Sequence, residues 1–454
     1  MDKTDDLFRD IDAHFAEAVA ALVRLCRQPS VSAQKLGYPE ATDLVAAQLR
    51  EAGLAVSVLP TEGDFPVVYG QLRGRSNRTL LFYNHYDVQP PEPLDLWTSP
   101  PFEPRIANDH LYARGAADNK GDIVARLAAV QAVRRVYGTL PVTLRWIIEG
   151  EEEIGSPHLP AFVEAHRNLL TADGCIWEGH EVDWQGRPHI VLGAKGLLYV
   201  RLEAHGASRD VHSSYATVVP NPAWRLIWAL NTLKDTDERV LVEGFYDAVR
   251  PPSEADQDAL SRLPLEDQAA RDSLGRPASV RGVSGVDYYH RHLFEPTCNI
   301  AGLESGYTGP GAKTVLPSLA YAKLDFRLVP DQDPDDILAK LRRHLDRHGF
   351  SDVAVSAAMG GEKPARTPAD SAFIALLADC ARRVYEAEAV LVPTMAGTGP
   401  MHSFTDTLGL PVAGAGVAYP DCRMHAPDEN IRLPDLAKGI KLMALLLVRM
   451  GETS

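Results

Sequence analysis

The chain is poor in cysteine. Five thiols, Cys26, Cys175, Cys298, Cys380 and Cys422, are scattered over 454 residues without a CxxC pair. An odd, widely spaced set excludes a disulfide scaffold and a cysteine-ligated zinc cluster, and it fits a reducing compartment. No apolar run approaches the ~18 residues that a membrane span requires. Basic clusters are also lacking: Lys+Arg 46 stand against Asp+Glu 61, for a formal net charge of -15. Such a chain repels a phosphate backbone, so nucleic acid is not an expected partner. The opening residues Met1-Asp2-Lys3-Thr4-Asp5-Asp6 are acidic where a secretory leader carries positive charge before an apolar core. Gly 34 and Pro 33 follow no period, which excludes collagen-like and low-complexity architectures. These absences predict a soluble, cytoplasmic protein with neither membrane nor nucleic-acid partners.

What is present is globular. Hydrophobic residues make up 45% and charged residues 24%, a mix that can bury a core, and the length predicts two or three domains. Apolar residues at helical spacing predict one helix over residues 7–26, closed by Pro29, and a second over 39–52, stopped by Gly53. β-rich runs follow at 55–59, 67–72 and 79–83. Beyond a proline-rich loop, the pattern predicts a helix at 121–136, a strand at 142–148, a short helix at 159–166 and a strand at 174–177. Strands alternating with helices predict an α/β sheet covered on both faces. From Gly193 the pattern changes: a strand at 197–204, a helix at 223–233, an acidic stretch punctuated by proline at 243–277, a strand at 319–329 and a helix at 334–348. Helix–strand alternation then returns and ends in a helix at 433–450. The chain therefore reads as one discontinuous α/β domain, residues 1–192 and 366–454, interrupted by an α+β insertion at 193–365.

Several short segments carry chemistry. His85-Tyr86-Asp87 directly follows an apolar strand, where ligand sites of open α/β sheets lie. Asp87 can hold the imidazole through its second nitrogen, although a His-x-Asp at a strand end is also an ordinary hydrogen-bonded turn. Gly115-Ala116-Ala117-Asp118-Asn119-Lys120-Gly121 precedes a helix, so Asp118 or Asn119 can be a simple N-cap; the flanking glycines also permit an unusual backbone for a metal-bridging aspartate. Glu149-Gly150-Glu151-Glu152-Glu153 crowds four carboxylates at the end of a buried strand, which is costly without a cation, whereas a charge run is otherwise a solvated face. Glu178 ends another strand, and His425 lies in a loop near the C-terminus. His85, Asp118, Glu152, Glu153, Glu178 and His425 all fall at strand ends or adjacent loops of one domain. Oxygen and imidazole donors without cysteine suit Zn²⁺ or Mn²⁺.

Together these motifs resemble the co-catalytic dinuclear zinc peptidases and deacylases of the M20 type. The match runs through His85-x-Asp87, Gly115-x-x-Asp118-Asn119-Lys120-Gly121, Glu149-Gly150-x-Glu152-Glu153-x-Gly155-Ser156 and His425-x-x-x-Glu429, and the long insertion is most similar to the dipeptidase branch. The resemblance implies a zinc-peptidase-like catalytic domain, its central sheet flanked by helices, with an inserted α+β lid that mediates homodimerisation. It implies two divalent ions, Zn²⁺ first and Mn²⁺ or Co²⁺ as alternatives. Asp118 would bridge them, His85 and Glu178 would complete one, and Glu153 and His425 the other. Glu152 would be the general base that deprotonates water between the ions and passes the proton to the leaving nitrogen, and Asp87 the partner of His85. In the lid, Asp210-Val211-His212-Ser213 is similar to a family segment whose histidine reaches the partner subunit's active site, which makes His212 the candidate for stabilising the oxyanion. Its plainer reading is an ordinary strand-to-loop histidine.

Substrate contacts follow from the same resemblance. Thr314, after Gly311-Ala312-Lys313, and Arg327, within Asp325-Phe326-Arg327-Leu328-Val329-Pro330, lie in segments similar to those that bind a substrate's terminal carboxylate. Arg327 suits this because its planar fork binds a carboxylate bidentately, although it could equally form a salt bridge within its strand. Thr398 belongs to Met395-Ala396-Gly397-Thr398-Gly399-Pro400, in the place of a family loop that a glutamate precedes in dipeptidases. Met395 stands where that glutamate would meet a free amino group, and an apolar thioether cannot pair an ammonium. Glu rather than Asp at 178 accompanies carboxypeptidases and acyl-amino-acid hydrolases. The sequence thus predicts a metal-dependent hydrolase of short peptides, with N-acyl amino acids as the alternative substrate and an inactive binding homologue as the remaining reading.

Overall fold

In the computed structural model, residues 3–275, 278–357 and 360–452 are described. The chain divides into two compact units, one formed by Met1–Gly193, Arg366–Pro393 and Pro400–Ser454, the other by Ala194–Ala365 and Thr394–Gly399. The six residues Thr394–Gly399, which carry Met395 and Thr398, thus group with the inserted unit.

The first unit is built on an eight-stranded sheet in the order Ala55–Leu59, Val67–Leu72, Thr143–Glu149, Thr79–His85, Gly174–Trp177, Val412–Gly414, His189–Val191, Val390–Val392. Its centre is parallel: Thr79–His85 runs beside both Thr143–Glu149 and Gly174–Trp177, and Val412–Gly414 beside Gly174–Trp177. Six of the seven residues of Thr79–His85 are buried, as expected when helices cover both faces. The helices Thr4–Ala13, Gly121–Tyr137 and Leu433–Glu452 pack together, with Val130, Leu445 and Leu446 fully buried among them. This is the α/β architecture expected from the alternation. A separate three-stranded sheet orders Asn430–Arg432, His110–Tyr112 and Arg105–Ala107.

The second unit holds a four-stranded antiparallel sheet, Asn299–Ser305, Leu319–Leu328, Gly196–His205 and Ala354–Ala357. Along Gly196–His205 burial alternates residue by residue, and helices Pro222–Leu230 and Pro334–Arg347 cover the apolar face. This is the one-sided sheet pattern that period-two sequences encode.

One local expectation is corrected, and two further segments gain elements that the sequence pattern left unassigned. The helix at 7–26 is two helices, Thr4–Ala13 and Phe15–Arg27, divided at His14, whose ring bonds back to the Asp10 carbonyl. The acidic stretch at 243–277 contains helices Glu254–Ser261 and Asp267–Ser273; a Ser253–Asp256 capping box starts the first, a local signal that outweighs the flanking prolines. The strand Asn299–Ser305 has no alternating apolar pattern because it is an edge strand with a bulge between Ile300 and Gly302.

Candidate metal centre

Three adjacent parallel strands of the first unit end at the same edge. Thr79–His85 delivers His85, Gly174–Trp177 runs directly into Glu178, and Thr143–Glu149 leads into the 3₁₀ turn Glu152–Ile154. Asp118 comes from the segment Ala116–Lys120 that enters helix Gly121–Tyr137. His425 comes from the loop before Asn430–Arg432, whose pairing with His110–Tyr112 draws the end of the chain beside the Asp118 segment.

Asp118 lies between two imidazoles. Its Oδ1 is 2.9 Å from His85 Nε2 and its Oδ2 is 3.0 Å from His425 Nε2. His85 Nε2 also lies 3.2 Å from Glu178 Oε1, and His425 Nε2 lies 3.2 Å from Glu153 Oε2. Two donor sets result, His85–Asp118–Glu178 and Asp118–Glu153–His425, each with ligand atoms within 4.8 Å of one another. Each offers one imidazole nitrogen and two carboxylate oxygens, and they share Asp118. A sulfur-free nitrogen and oxygen set fits a divalent cation such as Zn²⁺ or Mn²⁺.

The electrostatics show what this crowding costs. Burial, then the charge of Glu178, pushes Glu152 well above the usual carboxylate range. Burial also raises Glu153, with Asp118 next in effect, and raises Glu178 against the opposing bonds from His85. For Asp118, burial opposes ionisation, but hydrogen bonds from His425 and His85 outweigh it and hold the carboxyl low. His425 is pushed up to about 10 by its bonds to Asp118 and Glu153. The carboxylates thus recruit positive charge from the two imidazoles, a role that a cation fills better.

The N-cap reading of Asp118 and Asn119 does not hold. The residue before helix Gly121–Tyr137 is Lys120, with no side-chain cap bond, and Asp118 has non-helical dihedrals of φ -130 and ψ 95. Its oxygens face the histidines instead. Asp87 is buried; its oxygens accept the backbone N–H groups of Glu152 (3.2 Å) and Glu153 (3.0 Å), and Oδ1 lies 3.3 Å from His85 Nδ1. The same Nδ1 is 3.1 Å from the Asp87 carbonyl. Asp87 therefore ties the glutamate turn to the histidine strand.

Glu429 was legible only as the last letter of a motif. It is 1% exposed and accepts from Arg114 Nη1 (2.6 Å) and from the backbone N–H groups of Gly115 (3.0 Å), Ala117 (2.9 Å) and Asp118 (3.0 Å). One carboxylate thereby folds the Asp118 segment around itself. Arg114 preceded a recognised motif by one residue, and nothing in the linear pattern shows that a buried ion pair joins it to Glu429.

His212, Thr314, Arg327 and Thr398 lie in the second unit. His212 Nδ1 accepts the Ser214 backbone N–H at 3.1 Å, so in the neutral ring the proton sits on Nε2, which faces Thr314 Oγ1 at 3.2 Å. Arg327 Nη1 donates to Thr398 Oγ1 at 2.6 Å. The salt bridge within the strand that was the plainer reading of Arg327 is replaced by this bond across to the Met395–Pro400 loop. Burial lowers Lys195 to about 8; its Nζ donates to the His292 (2.8 Å) and Glu295 (2.7 Å) carbonyls.

Residues 81–449 match Peptidase family M20/M25/M40. The chain belongs to that family. A solved structure of an M20 family metallo-carboxypeptidase from Sulfolobus solfataricus is similar over 96% of this chain and 100% of that one, at 39% identity and TM-score 0.91. Among curated proteins, a Cys-Gly metallodipeptidase of Schizosaccharomyces pombe is 28% identical over 363 residues, covering 76% of this chain and 75% of its own length. A human Beta-Ala-His dipeptidase is 27% identical over 396 residues, covering 85% of this chain and 78% of its own length. The peptidase is a metal-dependent amide-bond hydrolase.

Proposed function

We propose that this peptidase cleaves the C-terminal amide bond of short peptides at a centre of two divalent cations, Zn²⁺ first. The observation that carries the reading is Asp118, whose two oxygens face His85 and His425 separately, as a bridging carboxylate must. In this reading His85, Asp118 and Glu178 would hold one cation, and Asp118, Glu153 and His425 the other. Such ions polarise a scissile carbonyl and lower the pKa of water toward ~7.

The protein's own groups do the rest. Glu152, whose affinity for protons burial has raised, takes the proton of the attacking water and returns it to the leaving nitrogen. Arg327 pairs the terminal carboxylate. Because Thr398 Oγ1 accepts from Arg327, its own proton is free to donate to the same carboxylate. Thr314 lies beside His212 and orients it. His212 turns its Nε2 proton from Thr314 Oγ1 to the developing oxyanion, and it does so for the partner subunit of a homodimer.

Two features of the second unit support that homodimer. Helix Pro222–Leu230 presents Trp224 and Trp228, each 55% exposed and stacked with ring centroids 6.0 Å apart. The edge strand Asn299–Ser305 presents Ile300 and Leu303. An exposed aromatic face and an edge strand are each suited to a second copy of this chain. Five free, buried cysteines support a reducing, cytoplasmic setting, and no described helix is long and apolar enough to cross a membrane.

Met395 favours a second reading, hydrolysis of N-acyl amino acids, because it offers no charge to a free α-amine. Turnover of a free dipeptide and its N-acetyl form separates the cases: strong preference for the free amine would remove the role given to Met395. Glu152→Gln tests the base. It is expected to keep both cations and lose hydrolysis, and unchanged activity refutes the assignment.

A further inference from the structure

Beneath the candidate centre lies a buried cation that the chemistry above does not use. Arg126, on helix Gly121–Tyr137, is 0% exposed. Its Nη1 donates to the Tyr83 carbonyl at 2.6 Å and to Asn84 Oδ1, and its Nη2 donates to the Glu178 carbonyl. The first and last of these acceptors close the ends of neighbouring strands: Tyr83 is paired with Trp177, and its carbonyl also accepts the Glu178 N–H at 2.9 Å. Glu178 adopts φ 44, in the left-handed region that a glutamate enters only when held there. Its backbone is bonded on both sides, the carbonyl to the guanidinium and the N–H to the Tyr83 carbonyl.

The network continues toward Asp118. Asn84 Oδ1 accepts from Arg126 and, at 3.0 Å, from Trp146 Nε1. Both are obligate donors, so the Asn84 amide can face only one way, with its Nδ2 toward Asn119 Oδ1. Asn119 Nδ2 then donates to Asp122 Oδ2 at 3.3 Å. Asn84, Asn119 and Asp122 are all buried. Arg126 thus fixes the residue before His85, the residue after Asp118 and the backbone of Glu178. Glu153 and His425 are outside this network; the glutamate turn hangs from Asp87.

We propose that Arg126 is a positioning residue that acts chiefly on one cation of the pair: by gripping Tyr83, Asn84 and Glu178 together it sets His85 and Glu178, the two donors that belong to the first set alone, and leaves Glu153 and His425, the two that belong to the second alone, untouched. The proposal rests on the two-cation reading. Groups that orient metal ligands from behind typically change metal affinity by about ten- to hundred-fold when removed.

The test titrates metal-free protein with Co²⁺ alone, following its visible absorption and the metal-to-protein ratio after gel filtration. Wild type is expected to take up two ions. Arg126→Met should keep one at the wild-type affinity and hold the other about ten- to hundred-fold more weakly. Arg126→Lys should lie between, since one ammonium cannot span three acceptors. In a His425→Ala background the remaining ion should weaken on Arg126→Met; in a His85→Ala background it should not. Equal weakening of both ions, or of neither, overturns the proposal. Should circular dichroism show Arg126→Met unfolded, Asn84→Ser must produce the same selective loss, and its absence overturns the proposal equally. Fewer than two ions on wild type overturns the two-cation reading itself.

Discussion

Glu429 offers the sharpest test of how the Asp118 segment is held. Its Oε2 takes Arg114 Nη1 and the Gly115 N–H, and its Oε1 takes the Ala117 and Asp118 N–H groups. Glu429→Ala leaves a buried guanidinium and three backbone donors facing a void. Breaking a buried pair in this way costs about 3–5 kcal/mol, on the order of 10 °C in melting temperature for a unit of this size. Glu429→Gln is the more telling change. It keeps the shape and one oxygen, but its NH₂ confronts two donors at a site that needs an acceptor, and each orphaned group costs about 1–3 kcal/mol. Thermal melts and chemical denaturation of metal-free protein measure both effects. Arg114→Leu in the Glu429→Leu background should cost far less than the two single changes added together, because the pair leaves as a unit. Melting of Glu429→Gln indistinguishable from the parent would refute the claim that this carboxylate organises the segment.

Other consequences follow from contacts already described. Asp87→Asn weakens the acceptor of the Glu152 and Glu153 N–H groups and should lower kcat about ten- to hundred-fold with little change in KM; steady-state kinetics read this directly. Arg327→Lys replaces a fork with a point charge and should raise KM by about tenfold or more for substrates bearing a free carboxylate, while an amidated substrate should show little difference. His212→Ala should lower kcat by about 10²–10³, and mixing it with inactive Glu152→Gln should restore activity if the histidine serves the partner's centre. Lys195 gives a pH signature. The unfolded chain keeps its proton up to the ordinary lysine value while the folded protein releases it near 8, so folding becomes more favourable as pH rises from 8 toward 10.5. The stability difference between wild type and Lys195→Met should grow in favour of wild type across that window, by up to about 3 kcal/mol; a flat difference would show that the buried ammonium does not titrate there.

Much of the fold was legible because periodicity reports burial. The apolar run at 79–83 and its neighbours announced a sheet covered on both faces. The candidate metal centre was legible because strand ends put chemistry next to glycines and carboxylates at recognisable spacing. What stayed hidden is what distance along the chain conceals. Arg126 reads as one charged residue on an apolar helix, and only folding sets it against carbonyls from two strands. Glu429 reads as an acidic loop residue until 311 positions of chain bring Asp118 to it. The edge strand Asn299–Ser305 was invisible for another reason: its stability comes from pairing with Leu319–Leu328 and not from its own composition.

The pairing of Asn430–Arg432 with His110–Tyr112 sets an order of events for synthesis. The donors of one cation set, His85, Asp118 and Glu178, are all translated within the first two-fifths of the chain, but the carboxylate that shapes the Asp118 segment arrives 311 residues after it. Closing so long a loop comes late in folding. The Asp118 segment therefore gains the carboxylate that organises it only when the far end of the chain has been made and its strand has paired.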